Sequence, residues 1–300
     1  MTAGWQLGLL YCAAVWGATF YLIKDALHGV HPVVLVGYRF SLCAILLGPV
    51  HALRARGAPL APGALKDGAV LAALLSLLYV TQTAGLAWTT ASNSGFITGL
   101  FVVFVPALLY IARRQVPAPS EGLAVALAVA GLWLLTGGPR GINRGDAVTL
   151  ASALAYAAHL LYTDRCVRAG RDLVALAFHQ FWMTGAACLL MAGAMKCPFG
   201  VADVRTAGVI AFLALVPTLS AFFIQMAAQR CVEPMLVSLT FSTEPVFAAL
   251  FAWTLGGELF KPLSAAGGAL IVLAMAVSGL SSKAPVAAGR GACVAAEADA

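Results

Sequence analysis

Ser152, Tyr156, His159 and Thr163 follow one another at spacings of four, three and four, so a helix carrying them presents all four on one face. An imidazole there can bind a substrate carboxylate, change its protonation near neutral pH, or serve only as a hydrogen-bonded structural group. Thr218, Phe222, Gln225 and Gln229 form a second stripe of the same kind. Gln82 stands 143 residues before Gln225, with Tyr79 one helical turn ahead of it. Two amides at matching positions can fix a polar ligand from both sides, or simply hydrogen-bond helix to helix. Glu244 is the carboxyl group of "TFSTEPVFAALFAW", residues 240–253. It serves either as a neutral structural group beside the backbone irregularity of Pro245 or as a handler of charge, holding an amine or taking up a proton. Arg39 is a second ionisable residue inside an apolar run. His28 and His31 share a His-x-x-His spacing, but Gly29 and Pro32 put them in a turn, and we expect no metal there.

What these residues can do depends on their solvent. Of the 300 residues, 61% are hydrophobic and 10% charged, against about 25% charged in soluble domains. The polar side chains cannot cover a folded surface, which points to a bilayer. The apolar runs have the roughly 20 residues a helix needs to cross it and lack the alternation of a β-barrel strand. In that setting a carboxylate near a helix centre costs about 2.5–3.5 kcal/mol on insertion scales. Glu244 and both polar stripes should therefore face protein or a wet cavity rather than lipid. For the stripes, a packing seam and a cavity wall both satisfy this.

Ten spans can be drawn: 4–24, 33–53, 68–88, 91–112, 120–137, 146–166, 173–195, 206–228, 235–255 and 262–281. Proline and glycine breakers fall between them. In span 4, Gly95 and Gly99 suit close helix packing, and Asn93 and Phe96 on the adjacent face could border a pocket. Pro217 inside span 8 frees the carbonyl of Leu213. The net charge of +6 comes from basic residues in short loops and does not indicate nucleic acid. Their distribution favours both termini in the cytoplasm. The seven cysteines are scattered without a Cys-x-x-Cys pair, mostly in apolar runs where a thiol acts as a small hydrophobe.

The halves also align: "AVWGATFYLIK" (14–24) with "LAYAAHLLYTD" (154–164), and "QVPAP" (115–119) over "ELFKP" (258–262). Five spans per half make each repeat start on the opposite face, an inverted arrangement common in transporters.

Trp16-Gly17-Ala18-Thr19-Phe20, Arg39-Phe40, "GLAWTTASNSGFITGLFVVFVPAL" (85–108) and "EPVFAALFAWTLGGEL" (244–259) resemble, in order and spacing, the EamA-type branch of the drug/metabolite transporter superfamily. The resemblance covers about residues 4–282. It implies an all-α membrane protein of ten transmembrane helices, built as two inverted five-helix repeats (1–139 and 140–283) around a central cavity, with 284–300 a disordered tail. It implies alternating access, export of a small metabolite such as an amino acid across the cell membrane (the inner membrane of a bacterium), and Trp16 and Thr19 as further cavity residues. Import, or a sugar, nucleotide derivative or lipophilic cation as substrate, stays open. Unlike the four-span multidrug relatives, span 1 has no carboxylate before Asp25. The motifs of zinc hydrolases, serine hydrolases and P-loop NTPases are missing, so gradient-driven transport is expected rather than catalysis. No cofactor is called for, the expected partners are substrate and lipid, and a monomer suffices.

Overall fold

The computed structural model describes residues 2–54, 62–89, 91–114, 116, 118–136, 143–255, 259–260 and 262–281. The side chains of Asn93 and Phe96, together with Glu258 and the tail from 284, lie outside them.

All regular structure among the described residues is helical. The first half holds α1 (Thr2–Ala26), α2 (Pro32–Arg54), α3 (Pro62–Leu86), α4 (Ala91–Gly99), α5 (Phe101–Arg113) and α6 (Pro119–Thr136). The second holds α7 (Arg144–Arg168), α8 (Leu173–Ala194), α9 (Val204–Ala214), a π-helical stretch (Leu215–Ser220), α10 (Ala221–Gln229), α11 (Pro234–Phe241), α12 (Glu244–Thr254) and α13 (Pro262–Ser281). Five helices open on proline, whose missing N–H and fixed φ suit the first helical position. Others start from side-chain caps: Asn143 and Asp146 form a capping box on α7, Asp172 accepts from the amide of Ala175, and Asp203 from that of Thr206. The amide and hydroxyl of Thr206, with smaller help from Arg205, hold the exposed Asp203 carboxyl below its usual range.

Six helical stretches are long and apolar enough to cross a membrane: Gly4–Ala26, Pro32–Arg54, Gly63–Leu86, Leu173–Ala194, Val204–Gln229 and Pro234–Phe251. Ile97–Ala112, Pro119–Leu134 and Ala265–Ala274 are shorter apolar segments. Two expected continuous spans are broken. Span 4 divides into α4 and α5 at Leu100, and span 9 into α11 and α12 at Ser242-Thr243. The second break has a clear cause: Pro245 has no N–H to offer the carbonyl of Phe241. Around it the hydroxyls of Ser238, Thr240, Ser242 and Thr243 bond back to carbonyls of the preceding turn at 2.6–2.8 Å.

The halves keep register. α4 and α11, α5 and α12, and α6 and α13 each begin 143 residues apart (91 and 234, 101 and 244, 119 and 262). Packing obeys the same exchange. α2 lies on α8 and α6 on α13; α1 packs on α12 as α7 does on α5, and α3 packs on α8 as α2 does on α9. Glycines allow the tightest crossings. A Cβ on Gly185 would sit 2.5 Å from the Ser41 hydroxyl, and one on Gly131 2.6 Å from the carbonyl of Gly267.

Polar ties close both ends of the bundle. At one end Asp67 of α3 accepts from Tyr162 (2.9 Å) and Arg171 (2.7 Å), while Arg168 reaches Asp164 and the carbonyl of Val232. At the other, Lys24 of α1 donates to the carbonyls of Leu86 and Thr89, and the Thr89 hydroxyl donates to Asp146 of α7 at 2.6 Å. Cys12, Cys43, Cys166 and Cys188 are buried free thiols.

Candidate functional site

Between these ends, side chains from both halves meet around a small cavity. Trp16 and Thr19 of α1 face Tyr156 and His159 of α7, while Leu78, Tyr79 and Gln82 of α3 face Phe222 and Gln225 of α10. Glu244, at the first position of α12, completes the lining. Its volume of about 20 Å³ holds roughly one or two waters, far less than a metabolite.

The lining pairs across the halves. Trp16 and Tyr156, and Thr19 and His159, stand 140 residues apart; Tyr79 and Phe222, and Gln82 and Gln225, stand 143 apart. The carboxyl breaks this match. The residue 143 before Glu244 is Phe101, whose ring packs on Tyr156 with centroids 4.4 Å apart.

Each wall is held from behind. Trp16 donates its indole N–H to the carbonyl of Pro217 at 2.7 Å and meets the Phe241 ring edge-to-face at 4.9 Å. Tyr79 receives Nη2 of Arg39 at 3.4 Å, and the guanidinium stacks over its ring at 4.6 Å. His159 Nε2 bonds Gln180 Oε1 at 3.0 Å; the Gln180 amide nitrogen points at Met226 sulfur, so the imidazole supplies the proton. Gln225 donates to Gln229 Oε1, and Gln229 donates to the carbonyl of Leu160. Gln82 donates to the Thr98 hydroxyl at 3.2 Å. Tyr156 Oη and Glu244 Oε2 have no hydrogen-bond partner among the described residues, although both are buried.

Not every expected residue reaches the cavity. Thr218 is fully buried but turned away from it: its hydroxyl donates to the carbonyl of Leu213 at 2.7 Å and accepts from Arg39 Nε at 2.6 Å. This satisfies the carbonyl that Pro217 frees, and the π-helical turn accommodates the missing bond. Gln229 and Ser152 likewise bond backbone carbonyls within the wall. Leu78 and Gln180 were not singled out from sequence. Gln180 had a signal, as a lone amide in an otherwise apolar helix, whereas Leu78 had none. His28 and His31 lie in the turn after α1, which borders a separate groove formed with residues 198–202.

Thr218→Val tests the wall. Replacing the hydroxyl by a methyl leaves the Leu213 carbonyl and Arg39 Nε unpaired, a loss of about 1–3 kcal/mol. The detergent-solubilised chain should melt several degrees lower, while Thr218→Ser should melt near the parent.

The profile of the EamA-like transporter family matches this chain twice, over residues 3–137 and 143–280. The chain belongs to the EamA-like transporter family. It is therefore a multi-pass membrane transporter of two-repeat architecture. An uncharacterized transporter of Archaeoglobus fulgidus (strain ATCC 49558 / DSM 4304 / JCM 9628 / NBRC 100126 / VC-16) is 29% identical over 282 residues, which span 92% of this chain and 85% of that one. A solved crystal structure shares the fold with a TM-score of 0.77 at 17% identity, covering 95% of this chain and all of the other.

Proposed function

We propose that this EamA-like transporter exports a small metabolite such as an amino acid by alternating access, in exchange for protons. The observation that carries this reading is the cavity itself. Four pairs of side chains from matching positions of the two halves converge on it, and one unpaired carboxyl breaks their symmetry. In this reading the chain crosses the bilayer ten times as two inverted repeats, 1–139 and 140–283. Both termini are cytoplasmic in the cell membrane of a bacterium, with 284–300 a disordered tail. A site on the axis relating inverted repeats becomes accessible from either side as one repeat rocks against the other.

The tied ends and the small volume make this arrangement a closed one, which must widen to admit a substrate. Trp16, Thr19, Tyr79, Gln82, Tyr156, His159, Phe222 and Gln225 would then contact it, with Thr218 supporting the wall and Asn93 and Phe96 near the α4 approach. Glu244 handles the exchanged charge: a proton and a substrate amine compete for one carboxylate, so binding one releases the other.

Vesicles reconstituted with the purified chain and loaded with the twenty common amino acids test this. Saturable efflux, accelerated by protons supplied from the receiving side, is expected. Uptake without efflux would make the chain an importer, and chemical conversion without flux would end the transport reading.

A further inference from the structure

The hydrogen bonds behind the cavity wall dictate what its two glutamines can present to a ligand. The Leu160 carbonyl can only accept, so it fixes the Gln229 amide nitrogen toward itself at 2.9 Å. Gln229 Oε1 therefore faces Gln225 and takes its NH₂ group at 3.2 Å. Gln225 is left with its carbonyl oxygen as the free end. Gln82 turns its NH₂ group to the Thr98 hydroxyl at 3.2 Å, and in that orientation its carbonyl oxygen is the free end. Glu244 shares their lining, with Oε2 unpartnered among the described residues and the residue only 5% exposed. His159, donating from Nε2 to Gln180, keeps Nδ1 as a lone pair. Arg39, the buried cation nearby, turns Nε and Nη2 to Thr218 and Tyr79, leaves Nη1 without a partner among the described residues, and does not line the cavity.

The free ends of Gln82, Gln225, Glu244 and His159 are thus acceptors, joined by the hydroxyls of Tyr79 and Tyr156 and set beside the rings of Trp16 and Phe222. Buried acceptors without donors are costly. The ligand they suit carries positive charge and several N–H bonds on one compact head, beside an apolar body that aromatic walls can cover.

We infer that this cavity recognises a protonated primary amine, with the carbonyl oxygens of Gln82 and Gln225 and the carboxylate of Glu244 receiving the three ammonium hydrogens. The inference rests on the transport reading for the cavity being a substrate site, and it narrows the cargo. A phosphate or carboxylate alone would meet lone pairs. A quaternary ammonium keeps the charge but offers no N–H, leaving both amide oxygens unpaired. An amino acid binds by its amine end, and its carboxylate is not the recognised group.

Three compounds of one shape separate these features: isoamylamine, isoamyltrimethylammonium and 4-methylvalerate. Thermal shifts of the purified full-length chain in detergent give their affinities. Isoamylamine should bind at least about tenfold more tightly than either of the others, a difference near 1.4 kcal/mol. Gln82→Leu should weaken isoamylamine by at least about tenfold without weakening isoamyltrimethylammonium, which has no N–H for the lost carbonyl oxygen to receive. Equal binding of the trimethyl or carboxylate compound, or no binding of isoamylamine, overturns the inference. Amino-acid efflux from vesicles that excess isoamylamine does not inhibit would overturn it and leave transport standing. Selective isoamylamine binding without flux of any amino acid would remove the transport reading and keep the recognition.

Discussion

Glu244→Gln should lower transport by about one to two orders of magnitude and remove its dependence on a proton gradient. The substitution keeps the shape of the side chain, so the packing of α12 against α1 is undisturbed. It removes the charge, and an amide nitrogen can replace an unpartnered oxygen facing the cavity. Hydrogen bonds to charged groups contribute about 1.5–3 kcal/mol, which is roughly 10- to 200-fold in affinity. Within a membrane interior the loss falls toward the upper end, because no water replaces the missing partner. A glutamine also cannot take up a proton, so acidifying the receiving side should no longer accelerate efflux. The measurement is efflux from reconstituted vesicles at fixed and at opposed pH, with thermal unfolding as a control for folding. A variant with parental affinity and an unchanged response to the gradient would show that Glu244 is a structural carboxyl.

Gly17→Ala should destabilise the chain by about 1–3 kcal/mol and impair transport further. A Cβ at Gly17 would lie 2.7 Å from the Glu244 carbonyl oxygen, 2.7 Å from Phe247 Cβ and 2.9 Å from the Ala248 amide nitrogen. Two of those atoms are backbone, so α12 must retreat from α1 as a unit, at the usual cost of overpacking. Retreat carries Glu244 away from Trp16 and Thr19, which flank Gly17 on α1. Gly208→Ala is the control. It lies within α9 with open space where its Cβ would go, and replacing a helical glycine by alanine there is neutral or stabilising by up to about 1 kcal/mol. If both variants unfold and transport alike, the close approach of α1 and α12 does not set the position of the carboxyl.

Much of the architecture could be read from the letters. Composition settled the solvent, and prolines marked helix starts. The 143-residue offset that pairs Gln82 with Gln225 also relates the starts of α4 and α11, α5 and α12, and α6 and α13. These features are local or periodic, which is why a sequence carries them. The stripe on α7 was legible for the same reason: Ser152, Tyr156, His159 and Thr163 are all buried, as 3.6-residue periodicity requires of polar groups kept from lipid.

Which buried residue faces the cavity and which braces its wall was decided only by packing. Thr218 and Gln225 share a stripe in the sequence, yet the first secures Arg39 and the Leu213 carbonyl while the second reaches the hollow. The π-helical turn shifts the helical register between them, and its consequences depend on the neighbouring helix. Gln180 matters through His159, a partner from another helix that no spacing reveals. The breaks at Leu100 and Ser242-Thr243 and the closed volume of the cavity are likewise tertiary. Periodicity assigns a side chain to a face, but its hydrogen-bond partner comes from elsewhere in the chain, and in a dry interior that partner determines which atom is left for a ligand.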